Sequence, residues 1–327
     1  MSRLTYQQAL VEAIRREMVR DQRVFHMGQD VGAHANGVMN SCKGLAAEFG
    51  SERVIDLPIS EAGTVAAGVG AAIGGMRPIV QIMFGEFLSL VTAPLTCDAA
   101  TIWYRSGGKR SVPLVVRTLF GTGPHRGHPE DFHGWFCSVP GLKVAMPATP
   151  RDALGLMATA IRDENPVVFF EHMGLYHSVR EEVPDSEWTI PFGVADLKRV
   201  GKDVTIVAVG LMVQLALRAA ATLAKEGIDV EVLDLRTPVP LDRESLVKSV
   251  AKTGRMVTLS ETWRVGDAMA EAVAVIAEEL GGTRQIPVAR VALAQVPRPF
   301  ALSLEKQALP NEAKLIAAIK GVLERPH

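Results

Sequence analysis

The stretch VIDLPISEAGTVAAGVGAAIGG, Val54 to Gly75, reads as a strand followed directly by a helix of small residues. The hydrophobic run Val54–Leu57 delivers Ser60-Glu61-Ala62-Gly63 to the start of a segment built mainly of alanine and glycine. A carboxylate at that point sits beside apolar neighbours and partly out of water, an environment that suits proton exchange. The same position also suits a helix cap, because acids favour first turns. Local pattern leaves both readings of Glu61 open.

Outward from this stretch, further short β-branched runs follow at Pro78–Met83, Val112–Val116, Leu142–Met146 and Val167–Glu171. Helical segments separate most of them. Thr5 and Gln8 form a capping box for a first helix, with Ala9, Leu10, Ala13, Ile14 and Met18 at helical spacing. Another helix opens with Thr149 as N-cap, Pro150 at the first position and Asp152 in the first turn, and runs to Asp163. Alternating strands and helices predict a parallel α/β sheet. From His177 to Lys202 the stretch is charged, contains prolines and has no period, so it reads as a linker.

A second α/β unit is predicted from Asp203. Its strands are Val204–Val209, Val230–Leu235, Met256–Ser260 and Val288–Leu293. Its helices are Met212–Glu226, closed by Gly227, then Asp242–Thr253, Ala268–Leu280 and Glu312–Leu323. The division is 1–178, linker 179–202, and 203–327. The fold class is α/β: two domains, each a mostly parallel sheet flanked by helices.

The 327 residues are 48% hydrophobic, 22% charged and carry a formal net charge of −1, enough apolar matter for two cores. That balance gives no sign of nucleic acid or an anionic membrane as partner. The three cysteines, Cys42, Cys97 and Cys137, lack CxxC spacing, which reads as free thiols in a reducing cytoplasm. Met1 to Val24 has no apolar core of a signal peptide, and Ala62–Met76 is too short to span a bilayer.

Nucleotide signals fail. There is no GxxxxGK[ST], and Gly68, Gly70 and Gly74 give GxGxxxG, one residue off the dinucleotide spacing. Close helix packing is the better account of those glycines. His125, His128 and His133 lie near Glu130 and Asp131 in FGTGPHRGHPEDFHGWF. Zinc is conceivable there, but no i, i+4 histidine pair sits on a helix, and a polar active-site loop is the preferred reading.

ERVIDLPISEAG, RPIVQIMFGEF, YRSGG, VPGLKVAMPATPRDALGL and AIRDENPVVFFEH follow one another in order. They resemble the pyrimidine-binding domain of β subunits of 2-oxo acid dehydrogenase decarboxylases, the group of the pyruvate, branched-chain and acetoin enzymes. GKDVTIVAVGLMVQLALRAA, VEVLDLRTPVPLD and VPRPFALSLEKQALP resemble the transketolase C-terminal domain. The likeness runs from about Leu4 to Leu323.

The resemblance implies a thiamine diphosphate shared between two subunits. An α-type partner holds the diphosphate through Mg²⁺ with a GDG…N motif. This chain has no GDG, and its nearest string is Val265-Gly266-Asp267. Glu61 matches the acid that hydrogen-bonds a pyrimidine nitrogen and shares its proton. Phe87 matches the aromatic on the ring, and Met83 and Ile59 match pocket-lining residues; alone, all three would read as core. His128 matches a histidine on the substrate side. Asp163 and Asn165, with the carbonyls of Leu114 and Ala160, match a structural K⁺ site, although a bland helix-end turn gives the same string.

The implied assembly is an α₂β₂ heterotetramer containing a β pair. The implied reaction decarboxylates a 2-oxo acid and passes the acyl fragment to the lipoyl group of an acyltransferase. A split transketolase or acyloin-type synthase is the enzymatic alternative, and a non-catalytic scaffold is the third reading. GHPED replaces the usual QHSQ around His128, Leu90 replaces a common glutamine, and Cys97-Asp98-Ala99-Ala100-Thr101 replaces N-x-A-A-K. SETWRVGDAMAEA likewise replaces a Gly-rich family stretch.

Overall fold

The computed structural model describes residues 1–123, 127–282 and 284–325, so His125 lies outside the described residues. The chain divides into two compact units, Met1–Phe192 and Gly193–His327.

In the first unit the strands are β1 (Ser2–Thr5), β2 (Val24–Gly28), β3 (Val54–Asp56), β4 (Arg77–Phe84), β5 (Val115–Phe120), β6 (Lys143–Ala145), β7 (Val167–His172) and β8 (Arg180–Val183). The helices are α1 (Tyr6–Arg20), α2 (Leu45–Phe49), α3 (Glu61–Ile73), α4 (Ala100–Arg105), α5 (His133–Cys137) and α6 (Pro150–Arg162). Six strands form one parallel sheet in the order β3-β2-β4-β5-β7-β6. The four interior strands, β2, β4, β5 and β7, are buried along nearly their whole length and are mainly apolar. Both halves of the capping box form at α1: Thr5 Oγ1 accepts from Gln8 N at 3.1 Å, and Gln8 Oε1 accepts from Thr5 N at 2.9 Å. Thr149 caps α6, accepting from Asp152 N at 3.2 Å.

Helix α3 packs on β4. A Cβ on Gly68 would stand 2.7 Å from Val80 Cγ2 and 3.3 Å from Leu114 Cδ1, so glycine there lets the helix settle on the sheet. Gly70 faces open space. The packing explanation therefore holds for one glycine of the GxGxxxG string.

A polar cluster is sealed in this unit's core. Arg117 and Glu171, each 0% exposed, form a bidentate pair of 2.6 and 2.7 Å. Arg117 Nη1 also donates to Ser41 O at 3.0 Å, and the Tyr176 hydroxyl donates to Glu171 Oε2. Burial, then the Glu171 carboxylate, pushes the Tyr176 hydroxyl well above its usual range, which keeps it a donor. Cys42 is buried, and burial pushes its thiol up to about 11, so it is unreactive.

Strand β2 was not among the expected strands. His26 interrupts its apolar run, yet the strand is central and fully buried. Among the described residues neither ring nitrogen of His26 has a hydrogen-bond partner. Burial, and then the Arg117 charge, holds its pKa well below the usual 6.5. The folded state thus keeps a neutral imidazole, while the unfolded chain takes up a proton below pH 6.5. Stability contributed by this site is complete above pH 6.5 and falls as pH drops below it, with a limiting slope of about 1.4 kcal/mol per pH unit. Urea midpoints of wild type and His26→Phe at pH 7.5 and 5.5 check this. The variant loses less stability on acidification; equal acid sensitivity in both proteins refutes the assignment.

The second unit holds β9 (Asp196–Arg199), β10 (Val204–Ala208), β11 (Val230–Asp234), β12 (Met256–Trp263) and β13 (Val288–Leu293). Its helices are α7 (Leu211–Ala224), α8 (Arg243–Thr253), α9 (Ala268–Leu280), α10 (Leu302–Ala308) and α11 (Glu312–Leu323). The sheet order is β13-β12-β10-β11-β9, parallel except for antiparallel β9. Gly227, at φ +80°, ends the α7 region as expected.

The stretch 179–202 corrects the linker reading. It supplies β8, which pairs antiparallel with β1, and β9, the edge of the second sheet. Charged edge strands have polar solvent-facing residues, so their pattern resembles a loop. The second unit accordingly begins at Gly193, ten residues before the expected 203.

Candidate active site

The carboxyl ends of a parallel sheet are where open α/β folds bind ligands, because loops leave the strands there and helices begin there. Glu61 follows β3 and is the first residue of α3; Met83 lies near the end of β4 and Phe87 just beyond it. His128 lies on the loop after β5. The expected pyrimidine-side residues and His128 are therefore all delivered to this one edge by three strands of one sheet.

Glu61 is half-buried, and no residue among those described hydrogen-bonds its carboxyl. It accepts no backbone N–H of the first turn, and Ser60 makes no side-chain cap either. The capping alternative thus has no hydrogen bond behind it. Ile59 is 72% exposed, an apolar side chain left uncovered next to that acid. Met83 is half-buried.

Phe87 and His128 come together. Their ring centroids are 5.1 Å apart, and His128 stacks on Phe84 at 4.6 Å with planes 24° apart. Phe84 and Phe87 meet edge to face at 6.1 Å. His128 Nδ1 is hydrogen-bonded to Glu86 Oε1. Phe84 and Glu86 carried no role in the sequence reading. The available signal was Glu86 itself, a lone acid in the apolar run VQIMFGEFLSLV.

Among the described residues, His128 and His133 do not converge on one point. His133 is fully buried, and its Nδ1 lies 2.8 Å from both oxygens of Asp131. His128 pairs elsewhere, with Glu86. Among the described residues no group of three or more His, Cys, Asp or Glu side chains could hold a metal ion. The nearest approach to a GDG motif is structural: Asp267 caps α9, accepting from Met269 N at 3.1 Å.

At the α6 end, Asp163 Oδ1 accepts from Asn165 N at 2.9 Å, and its Oδ2 pairs with Lys143. Leu114 O accepts from Val167 N at 2.9 Å, and Ala160 O from Asp163 N at 3.3 Å. Arg77 donates to the carbonyls of Arg162 and Asp163 at 3.2 Å each. Leu90, on the helical segment Gly85–Val91, is 55% exposed. No helix among the described residues is long and apolar enough to cross a membrane.

Comparison with known proteins gives the family. Residues 2–178 match the model of the transketolase pyrimidine-binding domain, and residues 193–315 match the transketolase C-terminal domain. The chain is 41% identical over 327 residues to the 2-oxoisovalerate dehydrogenase subunit beta of Bacillus subtilis (strain 168), covering 99% of this chain and all of that one. It is 40% identical over 326 residues to the pyruvate dehydrogenase E1 component subunit beta of the same organism, with the same coverage. A solved structure described as a split-gene transketolase, an inactive beta4 tetramer, shares the fold at a TM-score of 0.78 over 98% of both chains, with 23% identity. By these full-length matches the chain belongs to the family of 2-oxo acid dehydrogenase β subunits built from transketolase pyrimidine-binding and C-terminal domains.

Proposed function

We propose that this chain is the β-type subunit of a thiamine-diphosphate-dependent 2-oxo acid dehydrogenase and works with an α-type partner in an α₂β₂ assembly. The observation that carries this reading is Glu61, a half-buried carboxyl at the start of α3 that no described residue hydrogen-bonds. An acid held there and not engaged by a described residue is suited to a nitrogen of an incoming ring. When bound, thiamine diphosphate supplies the carbon nucleophile and the electron sink for decarboxylation.

The chain's own residues do the rest. Glu61 holds and returns a proton at a pyrimidine ring nitrogen. Ile59, Met83 and Phe87 give that ring an apolar seat and keep water from the acid, which strengthens the hydrogen bond. His128 handles the proton on the substrate side, with the lipoyl group of an acyltransferase as acyl acceptor. Mg²⁺ and the diphosphate belong to the α-type partner. A monovalent cation belongs to the same proposal: the carbonyls of Leu114 and Ala160 each accept one N–H, leaving a second lone pair for K⁺ beside Asp163 and Asn165. The cytoplasm is its place of work.

Titration calorimetry checks the division of labour. The chain alone binds thiamine diphosphate weakly, whether or not Mg²⁺ is present, and addition of the α-type partner brings tight, Mg²⁺-dependent binding together with turnover of pyruvate or a branched 2-oxo acid. Tight Mg²⁺-dependent binding by the chain alone defeats the proposal.

A further inference from the structure

We infer that Glu86 is the positioning residue for His128: its carboxylate accepts the Nδ1 proton of the imidazole and leaves Nε2 as the nitrogen that handles the reacting proton. The inference rests on the proposed function, which gives His128 its proton-handling role.

A histidine that moves protons needs one tautomer and one ring orientation. A carboxylate on one ring nitrogen supplies both, because it accepts the N–H there and fixes the other nitrogen as the free base. Here Glu86 is hydrogen-bonded to Nδ1, with the histidine side chain 41% exposed and the glutamate 21% exposed. The reactive side of the ring thus remains open while the acid is mostly covered. The ring plane is held as well, by Phe84 stacked at 4.6 Å and Phe87 at 5.1 Å.

The backbone is shaped to keep this contact. A Cβ on Gly85 would lie 2.8 Å from Glu130 O and 3.1 Å from Phe120 Cβ. Glycine next to Glu86 therefore lets the loop carrying His128 close directly on the 84–87 segment. Gly121, at φ +83° as the chain leaves β5, donates its N–H to Pro129 O at 3.1 Å, which ties the residue next to His128 to the end of the strand. The loop and the acid thus meet by close backbone packing, which a surface ion pair does not require.

The experiment compares wild type, Glu86→Gln, Glu86→Asp and His128→Gln, each assembled with the α-type partner and assayed with a 2-oxo acid. Glu86→Gln is expected to lower kcat about 10- to 100-fold with KM little changed, as for loss of an orienting partner. The pH profile of kcat changes with it, because the nitrogen that handles the proton is no longer fixed. Glu86→Asp, which keeps the charge, restores part of the rate and the profile. Ring ¹⁵N spectra of the labelled chain give a readout independent of turnover: Nδ1 is the protonated nitrogen of His128 in wild type, and that preference is lost in Glu86→Gln.

An unchanged ¹⁵N tautomer and pH profile in Glu86→Gln, with His128→Gln inactive, overturns the inference and leaves the proposed function standing. If His128→Gln keeps full activity, the proton-handling role fails and the inference falls with it. Should Glu86→Gln not fold, Glu86→Asp decides: wild-type spectra with partial rate support positioning, whereas loss of rate with neither spectral nor pH change overturns it.

Discussion

Glu61→Gln lowers turnover of the assembled enzyme about 10²- to 10⁴-fold, the usual worth of a positioned proton-transfer group. The substitution keeps the size and shape of the side chain. It removes only the ability to share a proton with a ring nitrogen. Because the wild-type carboxyl is half-buried and hydrogen-bonded by no described residue, the change breaks no hydrogen bond to a described residue. Heterotetramer formation, read by size-exclusion chromatography, and thermal stability therefore stay near wild type while kcat falls. Steady-state turnover of pyruvate or a branched 2-oxo acid, measured side by side, checks this. Full activity in the glutamine variant ends the assignment of Glu61 as the working acid.

The second large effect is on stability. Arg117→Met destabilises the first unit by about 3–5 kcal/mol, because it strands the Glu171 carboxylate in a site with no exposure to water. Tyr176 still donates to Glu171, but one neutral donor does not replace a bidentate guanidinium. The double variant Arg117→Met/Glu171→Leu recovers most of the loss, since two apolar groups of similar volume leave no charge uncompensated. Urea unfolding of wild type, single and double variants gives the comparison. A single variant as stable as wild type shows that the pair is dispensable to the fold. This cluster and neutral His26 draw on the same core: Arg117 is bonded to Glu171 and lowers the pKa of His26.

The clearest elements in the sequence were those whose pattern is local. The strands at Val288–Leu293 and Val167–His172 and the helices Ala268–Leu280 and Glu312–Leu323 lie at or within one residue of the predicted ends. Caps mark several of these ends, and apolar runs mark the buried strands. β2 was hidden by His26, whose polar side chain is tolerated only because the surrounding core keeps it neutral. β8 and β9 were hidden because edge strands carry charge.

The candidate site divides in the same way. Glu61 was legible because a strand leading into a small-residue helix is a contiguous signal. Phe87 was named only through the resemblance; His128 was legible as part of a polar loop, and only the resemblance gave it a role on the substrate side. Glu86 and Phe84 drew no attention, because their significance lies in what they touch across 42 and 44 positions of chain.

The sequence by itself determined the strand–helix alternation, the two α/β units and the acid at the start of α3, because propensity, caps and periodicity act over a few residues. Only the tertiary structure decided which polar groups meet. The partners of His128, His133 and Arg117 depend on strand order and loop packing, and hydrogen bonds act only over ångströms between residues that the fold must first bring together.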